Sequence, residues 1–169
     1  APVGMFARDT PSASEAGMDW VRKRRSVDEI KAMLREAGYG GERINYLHPT
    51  DQTFYDAISH VVTAAWKKVG LNIDAQPVDW GTVVQRRTSR EPLEKGGWSA
   101  FPYGAPAGEA RDPVFNTNLR GNGLQAWFGW PSDEKMETMR NAWIDSNDEA
   151  ERKRLDQEIQ ARAFETVPF

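Results

Sequence analysis

Along this chain the apolar positions switch between a period of 3.6 residues and a period of 2, and the order of the switches predicts the fold. Ser26-Val27-Asp28-Glu29 reads as a capping box. Behind it Val27, Ile30, Leu34 and Ala37 share one helical face, and Gly38 stands where that helix should stop. Arg43-Ile44-Asn45-Tyr46-Leu47-His48 alternates as a strand does, and Pro49 ends it. A second helix, capped by Thr50 or Asp51, presents Phe54, Ile58, Val61, Val62, Ala65 and Val69 inward and closes on Gly70. Alternation returns in Leu71-Asn72-Ile73-Asp74-Ala75, with Pro77 marking where that strand ends or frays. Asp79 can cap a short helix running to Arg86, and residues 97–104 read as a third strand.

A glycine- and aromatic-rich stretch without either period follows, from Ala105 to Pro131. Two helices finish the chain. Ser132 is expected to cap one, with Met136, Met139, Trp143 and Ile144 inward; Asp148 caps the other, with Leu155, Ile159 and Ala163 inward. Residues 1–25 show no period and carry Pro2, Pro11 and the Ser12-Ala13-Ser14 run, so they read as an irregular extended segment before a folded region at 26–169. Strand and helix alternating through the middle, then helices together, favour an α/β layered lobe with a partly parallel sheet.

Composition narrows the function classes. The 39% hydrophobic and 28% charged content is that of an ordinary folded domain, and the net charge of −3 argues against nucleic acid as a main partner. The basic run Arg22-Lys23-Arg24-Arg25 and the cluster Arg86, Arg87 and Arg90 have no interleaved aromatic platform and read as solvated faces. Absence of cysteine excludes disulfides and cysteine-built metal sites. No apolar run approaches the roughly 20 residues a membrane helix needs. No signal-peptide pattern opens the sequence, and both ends look cut from something longer.

Candidate chemistry is sparse. His48 lies at a strand end three residues before Asp51, and His60 follows Asp56 by four, which puts both on one helical face. A hydrolase or metal-dependent enzyme built on His48, Asp51 and His60 is the alternative these residues allow; it needs a further ligand or an oriented nucleophile. A surface pairing of His60 with Asp56 is the simpler reading, and no catalytic or nucleotide-binding motif accompanies it. Seven tryptophans are more suggestive. Trp98, Trp127 and Trp130 lie in or beside the aperiodic region, where they either cover core or line a cleft. Glu109 and Asp112 are the acids of the loop after the third strand, the place where α/β sheets usually meet ligands. Asp112 precedes Pro113 and can simply shape the turn.

The order of these motifs resembles the family 5 extracellular solute-binding proteins of ABC importers, the dipeptide-, oligopeptide- and nickel-binding group. "SVDEIKAMLREAGYGG" (26–41) is similar to that family's helix and turn. "AAWKKVGLNIDAQPVDWGTVVQRR" (64–87) is similar to its block ending in Asp-Trp, and "GGWSAF" (96–101) to its next strand. "GLQAWFGWPSDEKMETM" (123–139) and "ERKRLDQEIQARAFETVPF" (151–169) resemble its last two helical segments. The resemblance implies the C-terminal ligand-binding lobe of a type II periplasmic-binding-protein-like fold, a mixed sheet flanked by helices. It also implies a non-enzymatic role: capture of a small solute, foremost a peptide, between two lobes, and delivery to an ABC permease in the membrane from a periplasmic or lipid-anchored extracellular position. No cofactor or metal is implied. An exposed sheet edge and lobe interface would leave such a fragment prone to self-association.

The family's peptide binders hold the ligand's ammonium group with an aspartate in the loop after the third strand. Glu109 falls nearest that position, counted back from Pro113, and reaches one methylene further. Ala105 stands where the family usually has a tryptophan. Glu109 and Asp112, with Trp98, Tyr103, Trp127 and Trp130 as aromatic walls, are the ligand-binding candidates.

Overall fold

Residues 4–168 are described by the structure, a computed structural model; Pro2 and Phe169, used in the sequence reading, lie outside them. The chain divides into two units: Arg25–Gly104 forms one, and the segments up to Arg24 and from Ala105 onward form the other. A single helical turn, α1 (Asp19–Arg22), interrupts the otherwise irregular N-terminal segment.

In the continuous unit, α2 (Val27–Glu36) starts at the expected capping box. Ser26 Oγ accepts the Glu29 amide at 3.2 Å while Glu29 Oε2 accepts the Ser26 amide at 2.6 Å. Strand β1 (Arg43–Pro49) pairs in parallel with β2 (Asn72–Val78), in a register that sets Arg43 against Asn72 and Pro49 against Val78. The β2 strand therefore continues past Pro77, whose missing N–H is tolerated at an exposed position. Helix α3 (Thr53–Lys68) makes the crossover between the strands, and α4 (Trp80–Arg86) follows β2.

Three expectations are corrected here. The third strand is reduced to one parallel bridge, Tyr46 with Ala100, because Gly97 is buried tight against the turn at Glu91–Pro92 and Pro102 has no amide to continue the ladder. Neither Thr50 nor Asp51 caps α3. Gln52 occupies that position, and Asp51 Oδ1 instead accepts the Trp80 amide at 2.8 Å, joining Asp79 at the start of α4. The inward face of α3 is also rotated from the one expected: Phe54, Ile58 and Val61 are exposed, while Ser59 and Thr63 are buried. These small hydroxyl residues can face β1 because each bonds back to the preceding turn, Ser59 to Tyr55 O at 2.6 Å and Thr63 to Ser59 O at 2.7 Å.

The second unit is built on α5 (Glu134–Asp145) and α6 (Glu149–Thr166). Phe6, Leu119, Met136, Met139, Leu155, Ile159 and Ala163 form its core, so the irregular N-terminal segment contributes a buried side chain. Ile144, expected inward, is exposed. The buried stripe of α5 takes in Arg140 instead, whose guanidinium donates to Pro113 O at 2.9 and 3.2 Å and pairs with Glu137. The α/β class expected from the order of elements holds. Strand pairing in the sheet is parallel, and among the described residues antiparallel pairing is confined to the bridge between Asn122 and Ser132.

Asp133, not Ser132, caps α5, and it ties that helix to α6. Its Oδ1 accepts the Met136 amide at 3.0 Å and its Oδ2 accepts from Arg162 Nε at 2.9 Å. Burial pushes the Asp133 carboxyl up, but Arg162 and the cap amides outweigh it and hold the group below its ordinary 3.8. A depressed folded pKa stabilises above the unfolded value and loses that contribution as pH falls through the folded one. Asp133→Asn, which keeps a cap, is expected to cost about 0.5–1 kcal/mol at pH 7, and Asp133→Ala about 2. The cost of the Asn variant should shrink as pH drops below about 4. Urea unfolding at two pH values checks this; an Asn variant as stable as the parent at pH 7 rejects it.

Candidate functional site

The six predicted ligand-binding residues are distributed over both units. Trp98 and Tyr103 belong to the continuous unit and flank the bridge at Ala100; both are partly buried, and Trp98 meets Phe101 edge-on with centroids 4.9 Å apart. Glu109, Asp112, Trp127 and Trp130 belong to the other unit.

Glu109 and Asp112 share one loop but differ in what they do there. Glu109 sits in a short 3-10 turn, Ala107–Ala110, fixed by the Glu109 amide to Pro106 O at 2.9 Å and by the Ala7 amide to Ala110 O at 2.6 Å. Its carboxylate is exposed. Asp112 is half-buried and shapes the loop: Oδ1 accepts the amides of Val114 and Phe115 at 2.9 and 3.1 Å, and Oδ2 accepts from Arg111 Nε at 3.1 Å. The Arg111 guanidinium lies 4.1 Å from the centre of the Phe115 ring.

Trp127 and Trp130 lie in a loop closed at its base. Gly123 N donates to Pro131 O at 2.9 Å and Asp133 N to Gly121 O at 2.8 Å, on either side of the Asn122–Ser132 bridge. The turn itself is Trp130 N to Trp127 O at 2.8 Å, with Gly129 at φ +104° and Trp130 at +51°. A tryptophan in the left-handed region is strained, and this one is held by the bridge beside it. Trp127 meets Phe128 edge-on at 4.9 Å. Both tryptophans are partly buried, so they neither vanish into the core nor stand free of it.

Near the Asp112 loop, a cavity of about 690 Å³ is lined by Ser12, Trp143 and the charged residues Asp112, Glu149 and Asp156 against Arg111, Arg152 and Lys153. Asp156 is buried, and burial pushes its carboxyl above the usual range against the opposing hydrogen bond of Ser12. Three acids facing three bases give this cavity no net charge with which to select an ion.

Asp51, grouped with the two histidines in the enzyme alternative, is engaged at the start of α4. His48 and His60 nevertheless converge, on Asp56. His48 Nε2 lies 2.7 Å and His60 Nε2 3.4 Å from Asp56 Oδ1, and the two rings stand edge-to-face 4.8 Å apart. Alternation along β1 carried the missing signal: Tyr46 and His48 face α3 together, Tyr46 through its hydroxyl 3.1 Å from Ser59 Oγ.

The fold is one that solved periplasmic-binding proteins share. The chain is 32% identical over 166 residues to the "Probable peptide ABC transporter periplasmic-binding protein y4tO" of Sinorhizobium fredii (strain NBRC 101917 / NGR234), a match covering 98% of this chain and 31% of that protein. Among solved structures it is similar to AgaA from A. tumefaciens R10 in complex with agropinic acid, at a TM-score of 0.78 and 18% identity over 99% of this chain and 34% of that one. It is also similar to the ABC transporter substrate-binding protein CtaP of Listeria monocytogenes, at 0.67 and 15% over 82% and 28%. No family model matches the chain. The chain is thus similar to the periplasmic-binding proteins of ABC transporters, and it spans about a third of the length of those it matches.

Proposed function

We propose that this chain is the C-terminal ligand-binding lobe of an importer's solute receptor, which captures a small solute, foremost a peptide, and hands it to an ABC permease from a periplasmic or lipid-anchored position. The observation that carries the reading is the match, over 98% of this chain, to a protein named a probable peptide ABC transporter periplasmic-binding protein. A binding role without chemistry of its own agrees with the transport proteins it resembles.

Within the lobe, Glu109 is the group that meets a cationic ligand. Its side chain is exposed on a turn fixed by backbone bonds. Trp127 and Trp130, of the same unit as Glu109, supply apolar wall. In the complete receptor, Glu109→Gln is expected to weaken a peptide with a free ammonium group by roughly tenfold or more, since a charge-assisted hydrogen bond becomes a neutral one. Unchanged affinity by calorimetry removes Glu109 from the site. Closure over the ligand draws on contacts from both lobes. The lobe alone is accordingly expected to bind dipeptides weakly or not at all, and micromolar binding by the isolated chain contradicts that.

A further inference from the structure

We infer that His48, Asp56 and His60 form a binding site for a divalent first-row transition metal, with zinc the ion to test. Their three donor atoms all lie within 4.8 Å of one another, and all three residues belong to the continuous unit. The residue types suit the ion: two imidazoles and one carboxylate are a ligand set that zinc, nickel and copper share.

Geometry supports the assignment beyond composition. Metal–donor distances of about 2.0–2.1 Å at tetrahedral angles place neighbouring donors roughly 3.3 Å apart. His60 Nε2 to Asp56 Oδ1, at 3.4 Å, already has that spacing. His48 Nε2 to Asp56 Oδ1, at 2.7 Å, is a hydrogen bond, and the ion would take the place of the proton between them while that pair opens by about 0.6 Å. The parts differ usefully in freedom. His48 is 7% exposed and held on β1, Asp56 is half-buried, and His60 is 71% exposed at its side chain, one helical turn beyond Asp56. A fixed ligand, a paired carboxylate and a swinging arm on the solvent side give an ion both a seat and an entry path.

The trio shares no residue with the proposed ligand-binding set, so its test does not depend on the receptor reading. The tag-free chain at pH 7.5 is titrated with zinc against a chromophoric chelator, and separately with cobalt, whose visible absorption reports the ligand geometry. The expected result is one equivalent bound, an imidazole-ligated tetrahedral cobalt spectrum, and a loss of affinity of roughly tenfold or more in His60→Ala and in Asp56→Asn. His60 is exposed, so His60→Ala should keep the parent's circular dichroism and melting temperature, which separates loss of a ligand from loss of the fold. Absence of one-equivalent binding overturns the assignment, as does binding that both variants leave unchanged.

Discussion

Gln160→Leu is expected to destabilise the protein by about 3 kcal/mol, lowering Tm by roughly 6–12 °C. Gln160 is fully buried in α6 and holds the irregular N-terminal segment at three points. Its Oε1 accepts the Met5 amide at 3.1 Å, and its Nε2 donates to Ser14 O at 2.8 Å and Ala16 O at 2.9 Å. Leucine fills similar space but leaves one donor and two acceptors unpaired, at about 1 kcal/mol each. Hydrogen exchange should rise at Met5 and through the flanking residues before the α6 amides respond. A variant within 0.5 kcal/mol of the parent would mean that water replaces the side chain without cost, and would reject the role given to it.

Gly97→Ala should be comparably severe in the other unit, about 3 kcal/mol or more. A Cβ on Gly97 would sit 2.0 Å from Glu91 O and 2.9 Å from the Pro92 carbonyl group, and backbone cannot step aside as a flexible side chain does. The carbonyl of Gly97 accepts from Arg86 Nη2 at 3.1 Å, so relieving the collision by moving residue 97 strains the tie to α4. The neighbouring Ser99 and Ala100 amides both reach Asn45 O, and Leu47 N reaches Ala100 O at 2.9 Å. Chemical denaturation gives the size of the effect, and lost exchange protection at Leu47 locates it. Parent-like stability would show that the close approach is not required.

Much of this fold is legible where local chemistry and burial agree. Ser26, Asp79 and Asp148 all cap the helices they were expected to cap, because a side-chain oxygen and a free amide two or three residues on are a local matter. Leu155, Ile159 and Ala163 point inward as their spacing says. What escapes the sequence is what depends on distant partners. Asp51 reads as the cap of the helix that follows it, yet its partner is Trp80, far along the chain. Ser59 and Thr63 are missing from the expected inward face of α3 because their bonds to the previous turn leave no trace in the pattern of hydrophobicity. Arg140 displaces Ile144 from the buried stripe only because Pro113 O awaits it.

The candidate site divides the same way. Asp112, placed before Pro113, could be read from sequence as a turn-former, but its partners in that turn, the amides of Val114 and Phe115, could not. Asp56 was visible as a neighbour of His60 through helical spacing, but its meeting with His48 needs β1 packed beneath α3.

The discontinuity of the second unit bears on when each part can form. The continuous unit has its whole chain within one run of 25–104, whereas the other cannot close until Gln160 exists to receive a segment 155 residues earlier. During synthesis at about 5–20 residues per second, the early segment must therefore wait roughly 8–30 s with Phe6 and Met18 uncovered. Contacts of such long sequence separation also fold slowly once the chain is complete. Within this unit the residues made earliest are therefore among the last to be secured.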